Sequence, residues 1–180
     1  MKATGIVRRI DDLGRVVIPK EIRRTMRIRE GDPLEIYTDS DGEVIFKKYS
    51  PIGEISLMSE KYAEVLSKCT PFAVVICDRD HCIAASGISK REVLERRVSP
   101  AVEELMEARH SFIFGESAGK QPMALEGVDR HAAVMVPIIA AGDISGAVML
   151  LQNDSNSKPT DSDAKLASVA ASFLGKQLEE

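Results

Sequence analysis

Short apolar runs alternate with turn residues in the first part of the chain. Two runs rich in β-branched residues, 5–10 and 15–18, flank the tetrapeptide Asp-Asp-Leu-Gly at 11–14. Gly14 can take the positive φ that a tight connection between two strands requires. The pattern therefore predicts a β-hairpin with its turn at residues 11–14.

A short helix and a second hairpin are predicted next. Pro19 suits the first position of a helix because its φ is already fixed near the helical value. Gly31 and Pro33 are expected to end this helix. Beyond them, apolar and polar residues alternate in 34–38 and 43–48 around the turn sequence Asp-Ser-Asp-Gly, which predicts two paired strands.

Pro51 and Gly53 mark a boundary, and residues 51–53 are predicted to be a linker between two domains. After this linker, apolar residues recur at spacings of three and four, which predicts a helix over residues 54–69. These apolar residues are Ile55, Met58, Tyr62, Val65 and Cys69. They form an apolar stripe along the helix that is too short to stabilise an isolated coiled coil, so the stripe is expected to pack against another part of the protein. The sequence leaves open whether that is its own domain or the same helix of another subunit.

The remainder of the chain has the pattern of an α+β domain. Strands are predicted at 72–77, 82–86, 111–114, 131–139 and 144–151, and helices at 91–97, after Ser99-Pro100 and after Thr160. The last helix carries Leu166, Val169 and Phe173 on one face. This order of elements predicts a central antiparallel sheet covered by helices.

The charge distribution indicates a polyanion as the partner of the first domain. Lys and Arg outnumber Asp and Glu by nine to three before residue 30, although the whole chain has a net charge of −4. The basic residues are interleaved with the apolar runs, so the charge is expected to be held on folded structure. A local excess of this kind inside an acidic protein is typical of a nucleic-acid-binding surface.

The motifs TGIVR and LGRVVIP, followed by a helix that begins E-I-R-R, occur in one register within residues 1–50. This stretch resembles the SpoVT-AbrB family of bacterial DNA-binding domains. The resemblance implies an all-β-rich swapped-hairpin dimer, a double-psi-like barrel with one short helix per chain. It also implies that arginines at the matching positions approach double-stranded DNA. With the adjacent Arg9 included, the candidate DNA-binding residues are Arg8, Arg9, Arg15, Arg23 and Arg24.

Residues 54–178 resemble a GAF domain in the order of their elements and in the segment VPI…GDISGAVMLLQ. The resemblance implies a place for an unidentified small-molecule ligand between sheet and helices, although the Asn-Lys-Phe-Asp-Glu signature of cyclic-nucleotide-binding members is absent. It also implies pairing through the terminal helices. A swapped-hairpin dimer that pairs again in this way gives a homotetramer. The candidate oligomerisation residues are Ile55, Met58, Tyr62, Val65, Leu166, Val169 and Phe173.

The two resemblances together imply a sequence-specific, DNA-binding transcription regulator of the sporulation type. The GAF-like domain is then a sensory or assembly domain, and neither a cofactor nor catalysis is expected. A non-regulatory oligomeric ligand-binding protein remains the alternative suggested by the second domain alone. A short antitoxin with the same N-terminal domain would carry a disordered tail, and residues 54–178 are too apolar for that.

A small serine hydrolase is the competing interpretation of the second domain. The sequence G-x-S-x-G at 115–119 follows a predicted strand, and Asp129 and His131 come later in the order of an α/β-hydrolase triad. A nucleophile elbow leads directly into a helix, whereas residues 119–122, Gly-Lys-Gln-Pro, form a loop sequence. The alternating strands and helices of a parallel sheet are also missing, so we do not expect an enzyme.

Neither a metal site nor a membrane span is expected. Cys69, Cys77 and Cys82 lack metal-type spacing and lie in or beside apolar runs, which predicts buried reduced thiols. No N-terminal apolar segment resembles a signal peptide, and no apolar run approaches the roughly 20 residues that span a bilayer. We therefore expect a cytoplasmic, nucleoid-associated protein.

Overall fold

The computed structural model describes residues 4–179, and the chain divides into two compact units between Tyr49 and Ser50. The first unit contains helix α1 (Lys20–Thr25) and strands β1 (Leu34–Thr38) and β2 (Val44–Lys48). The two strands pair antiparallel, which confirms the second predicted hairpin.

The first predicted hairpin is present only as its turn. The Asp11 backbone N–H donates to the Arg15 carbonyl at 3.1 Å, and the Gly14 N–H donates to the Asp11 carbonyl at 3.0 Å. Residues 5–10 and 15–18 are not strands in the single chain. Val7 is 86% exposed and Val17 is 71% exposed, so within residues 4–179 these arms have no ladder partner and little apolar burial.

Helix α1 is shorter than the sequence predicts at both ends. Pro19 precedes the helix with an extended ψ of 147°, and the last helical residue is Thr25. The helix ends in a Schellman motif, since the Ile28 N–H donates to the Arg23 carbonyl at 2.8 Å and Arg27 has a φ of +50°. The left-handed residue that ends the helix is therefore an arginine, so Gly31 does not perform the predicted role.

The second unit is an α+β domain, as predicted. Its elements are α2 (Pro51–Glu54), α3 (Ser56–Cys69), β3 (Ala73–Asp78), β4 (Cys82–Ser86), α4 (Lys90–Val93), α5 (Pro100–Glu107), β5 (Phe112–Ile113), β6 (Ala132–Ala140), β7 (Asp143–Leu151) and α6 (Asp161–Gln177). The strands form one antiparallel sheet in the order β4-β3-β7-β6-β5. Residues 51–53, predicted as a linker, lie in α2, and Ile52 is fully buried in this unit.

Helices cover both faces of the sheet. Helices α3 and α6 pack on one face, where Ala63, Leu66 and Leu174 contribute to a buried apolar cluster. Helix α5 and the neighbouring segments pack on the other face. Helix α6 lies very close to β6 at Gly175. A Cβ added to this glycine would come within 2.3 Å of the Ile139 carbonyl oxygen. Only glycine fits at that contact.

Two helix starts agree with the predicted caps. The Ser99 hydroxyl accepts from the Val102 N–H at the start of α5, and Thr160 with Asp163 forms a capping box at the start of α6. Helix α4 is only four residues long, because Leu94 is extended and Glu95 has a φ of +61°. The helix predicted over 91–97 is therefore wrong beyond its first turn.

Candidate nucleic-acid interface

The five candidate DNA-binding arginines are all exposed, and all belong to the first unit. Arg8 and Arg9 lie in the arm before the 11–14 turn, Arg15 follows that turn, and Arg23 and Arg24 lie in the last turn of α1. Within residues 4–179, the side chains of all but Arg15 form no hydrogen bond or ion pair. Unpaired guanidinium groups can meet phosphates without first breaking an internal contact.

Helix α1 fixes where its two arginines point. Pro19 is buried and Ile22 is half-buried, so this side of the helix lies against its own unit. Arg23 and Arg24 follow directly and are exposed, and their charges also lie at the end of the helix where cations are favoured. Met26, one turn after Ile22, is 56% exposed in the single chain, so the buried side of the helix does not extend to it.

The 11–14 turn is closed by the carboxylate of Asp11. Its Oδ1 accepts from the backbone N–H groups of Leu13 at 3.0 Å and Arg15 at 2.8 Å. Its Oδ2 accepts from the side-chain Nε of Arg15, also at 2.8 Å. The hydrogen bonds from the Arg15 backbone and side chain hold the pKa of Asp11 below its usual value.

The turn between β1 and β2 repeats this arrangement with a different charge. Asp39 Oδ1 accepts from the backbone N–H groups of Asp41 at 3.0 Å and Glu43 at 2.9 Å. Gly42 has a φ of +81° and Gly14 a φ of +76°, so the third residue after the aspartate is left-handed in both turns. The residue after the glycine is Arg15 in one turn and Glu43 in the other, which distinguishes the two turns electrostatically.

Other basic residues near α1 are tied into the fold. Lys48 Nζ donates to the Arg27 carbonyl at 3.0 Å and lies 3.7 Å from Asp32 Oδ2. The same Asp32 oxygen accepts from the Arg29 N–H at 2.8 Å. Arg27 and Arg29 are themselves half-buried and have further contacts among the described residues, whereas Arg23 and Arg24 are exposed. The basic excess seen in the sequence therefore divides into a structural group and an exposed group, a distinction that the sequence does not contain.

The candidate oligomerisation residues lie on α2–α3 and α6 of the second unit. Ile55, Tyr62 and Leu166 are half-buried. Val65 is 61% exposed and Val169 is 58% exposed, and Met58 and Phe173 are also exposed. The face of α3 that packs on its own sheet is a different one, formed by Ser59, Ala63 and Leu66.

The hydrolase-like motif is a turn rather than a nucleophile elbow. The Ser117 hydroxyl accepts from the Ile113 N–H at 2.9 Å, and residues 114–119 are turn and bend. No helix lies between β5 and β6, so amide groups are not aimed at an oxyanion there.

Two of the three cysteines are buried, as predicted. Cys77 and Cys82 are fully buried. The prediction is wrong for Cys69, which is exposed at the end of α3 because the apolar stripe to which it belongs lies on the outward side of the helix. Across residues 4–179 no group of three or more potential metal ligands occurs. Among the same residues, no helix is long and apolar enough to cross a membrane.

Comparison with known proteins gives a match for each unit. The family model described as stage V sporulation protein T C-terminal, transcription factor, matches residues 54–179. A model described as antidote-toxin recognition MazE, bacterial antitoxin, matches residues 7–54. The GAF domain of a phosphoenolpyruvate-protein phosphotransferase from Coxiella burnetii has a similar fold, with a TM-score of 0.53, 14% identity, and coverage of 69% of this chain and 82% of that one.

Two curated relatives extend the comparison. Stage V sporulation protein T of Bacillus subtilis is 50% identical to this chain, and the alignment covers 100% of this chain and 100% of that protein. The transition state regulatory protein AbrB of the same organism is 65% identical over 51 residues, which are 28% of this chain and 52% of that protein. These relatives give no support to the hydrolase or to a non-regulatory binding protein. The chain belongs to the stage V sporulation protein T family of transcription factors, with an AbrB-like DNA-binding domain followed by a GAF-like domain.

Proposed function

We propose that Arg8, Arg9, Arg15, Arg23 and Arg24 form the DNA-contacting surface of this regulator, which acts on double-stranded DNA of the bacterial nucleoid in the cytoplasm. The observation that carries the proposal is the exposure of all five guanidinium groups on two short elements, the 11–14 turn with its arms and α1. Contacts to phosphates supply affinity through counterion release, and arginines that reach base edges supply specificity.

The DNA-binding unit acts as a homodimer. Three apolar side chains of the turn and its arms are largely exposed in the single chain, namely Ile10 at 69%, Leu13 at 69% and Val17 at 71%. A unit of about 50 residues with so little buried surface gains its core by association. Pairing of the exposed arms with those of a second chain, as in the swapped hairpins that the family resemblance implies, would supply both ladder partners and burial.

A second contact joins two such dimers into a homotetramer. Outward apolar residues of α3 and α6 are exposed on the GAF-like unit, among them Met58, Val65, Val169 and Phe173, and the contact between the rings of Tyr62 and Phe173 brings the two helices together there. Because a two-fold contact is self-complementary, one surface of this kind is enough to pair two units. Two DNA-binding heads in one assembly raise the effective concentration for the second binding event.

Fluorescence anisotropy with a labelled duplex tests the DNA contacts. Full-length protein is compared with single alanine variants of the five arginines, and melting curves establish that the variants are folded. We expect weaker binding at unchanged stability, because the altered side chains are exposed. Binding by all five variants at the wild-type affinity would overturn the proposed surface.

A further inference from the structure

Arg15 differs from the other four candidate arginines because its side chain is held in place. The Asp11 carboxylate uses one oxygen for two backbone N–H groups of its turn and the other oxygen for Arg15 Nε. Both residues are exposed at the side chain, 70% for Arg15 and 37% for Asp11. The ion pair therefore sits on the surface that would meet DNA.

The turn does not need this side-chain contact to form. Asp39 builds the same turn with Oδ1 alone, since Asp41 and Glu43 donate their backbone N–H groups to it. Among the residues that the structure describes, no side chain donates to Asp39. The turn therefore forms without the contact between Asp11 and Arg15 Nε, and we expect this contact to act on the Arg15 side chain instead.

Occupation of Nε selects which part of the guanidinium remains available. The two terminal nitrogens of Arg15 form no hydrogen bond within residues 4–179. Two parallel N–H groups at that end match the O6 and N7 acceptors of guanine in the major groove. A guanidinium already fixed in direction loses less conformational freedom when it makes such a contact.

We propose that Asp11 is a positioning residue that determines DNA specificity. It holds Arg15 by Nε, so that the two terminal nitrogens of the guanidinium form a fork with a fixed direction, and its own charge lowers the affinity for DNA of any sequence. The proposal rests on the proposed contact between Arg15 and DNA. A carboxylate close to phosphates lowers affinity for every duplex, whereas the directed fork regains affinity only on the matching one. Asp11 therefore increases the difference between matching and non-matching DNA.

The test compares two duplexes bound by the full-length protein. One is selected by the wild-type protein from a random pool, and the other is a shuffled duplex of equal length and base composition. Asp11→Asn keeps an acceptor oxygen for the two backbone N–H groups but removes the charge that holds Nε. We expect the ratio of the two affinities to fall about tenfold, with unchanged or tighter binding of the shuffled duplex.

Three further variants make the test specific. Asp39→Asn is the matched control in the second turn, and we expect it to leave the ratio within about twofold of wild type. Arg15→Lys keeps the charge but has no fork, so it should lose at least as much specificity as Asp11→Asn. In an Arg15→Ala background, Asp11→Asn should have no further effect on the ratio, because its partner is gone.

The outcomes separate this proposal from the one on which it rests. An unchanged ratio in Asp11→Asn, or an equal loss on both duplexes, would overturn the positioning role while Arg15→Ala still weakens binding. A loss of specificity that persists in the Arg15→Ala background would show that Asp11 acts independently of Arg15. If Arg15→Ala itself binds both duplexes like wild type, the proposed DNA contact of Arg15 fails, and the role of Asp11 fails with it.

Discussion

The rings of Tyr62 in α3 and Phe173 in α6 stack on one another, with centroids 5.3 Å apart and an interplanar angle of 26°. The stack joins the two helices at the solvent side of their contact, since Tyr62 is half-buried and Phe173 is 41% exposed. It places two adjacent aromatic rings on the outward side of these helices. An exposed apolar surface with aromatic residues is suited to pairing with a second copy of itself.

We expect Val65→Glu combined with Met58→Glu to split the assembly while the GAF-like unit stays folded. Both side chains are exposed in the single chain, so charge there has no cost until the surface is covered by another subunit. Burial of two unpaired carboxylates at the contact would then oppose association strongly. Light scattering should show the mass of four chains for wild type and of two for the variant.

Glu64→Lys on the exposed side of α3 is the control, because Glu64 lies neither three nor four residues from Met58 or Val65, so the substitution changes the charge away from these apolar residues. Circular dichroism reports whether the double variant is folded. A folded double variant with the wild-type mass would show that this surface is not the joint.

A buried hydrogen-bond cluster ties the end of α3 to the start of α6. The Thr70 hydroxyl donates to Asp163 Oδ1 at 2.6 Å, and Thr160 donates its backbone N–H and hydroxyl to Oδ2 at 2.8 and 2.7 Å. Thr70→Val leaves one buried carboxylate oxygen without its donor, so the free energy of unfolding should fall by about 1–3 kcal/mol. Urea unfolding measures this change, and Ser162→Ala on the exposed side of α6 should stay within about 0.5 kcal/mol.

The same cluster predicts how stability depends on acid. Burial raises the pKa of Asp163, but the hydrogen bonds from Thr70 and Thr160 outweigh it and leave the pKa below its ordinary value of 3.8. A carboxyl with a lowered folded pKa stabilises the protein above its unfolded pKa, and this contribution is lost as the pH falls through the folded pKa. The stability difference between wild type and Asp163→Asn should therefore be full near pH 7 and shrink below about pH 4. A difference that grows on acidification would contradict this assignment.

Two buried serines should respond to alanine in opposite directions. Among the described residues, the hydroxyl of Ser59 has no hydrogen-bond partner, although the residue is fully buried in α3. Ser59→Ala should be neutral or stabilising by up to about 1 kcal/mol, since it removes an unsatisfied polar group and improves helix propensity. Ser99→Ala should cost about 0.5–2 kcal/mol, because Ser99 caps α5 and also donates to the Met123 carbonyl at 2.5 Å. Thermal unfolding of both variants gives the comparison, and a large loss in Ser59→Ala would reveal a partner for that hydroxyl.

Most elements of the GAF-like unit could be predicted from the sequence because their signals are local. Thr160 and Ser99 start helices through side-chain caps within three residues, and the long apolar runs of β6 and β7 pair across a short turn. The arms of the first hairpin could not be placed in the same way. Their apolar residues predict strands, but among residues 4–179 no strand pairs with them.

The candidate site was predictable in its residue types and less so in its geometry. Arginines in a family motif identify the surface, yet only the structure shows that Arg27 and Arg29 belong to internal contacts while Arg23 is exposed and unpaired within residues 4–179. The pairing of Asp11 with Arg15 has a sequence signal, an acidic residue four positions before a basic one around a glycine turn. That signal is too common to identify a contact without coordinates.

Salt dependence of DNA binding tests the central claim most directly. Each arginine that neutralises a phosphate releases counterions, so its removal lowers the slope of log affinity against log salt by about one unit. The variants to compare are Arg8→Ala, Arg9→Ala, Arg15→Ala, Arg23→Ala and Arg24→Ala. We expect the smaller slope for each variant whose arginine contacts phosphate. A variant whose arginine reads a base should lose about 1–3 kcal/mol of binding free energy at one base step. Lys165→Ala on the exposed side of α6 should leave slope and affinity unchanged. Wild-type slopes and wild-type affinities in all five arginine variants would contradict the assignment of this surface to DNA.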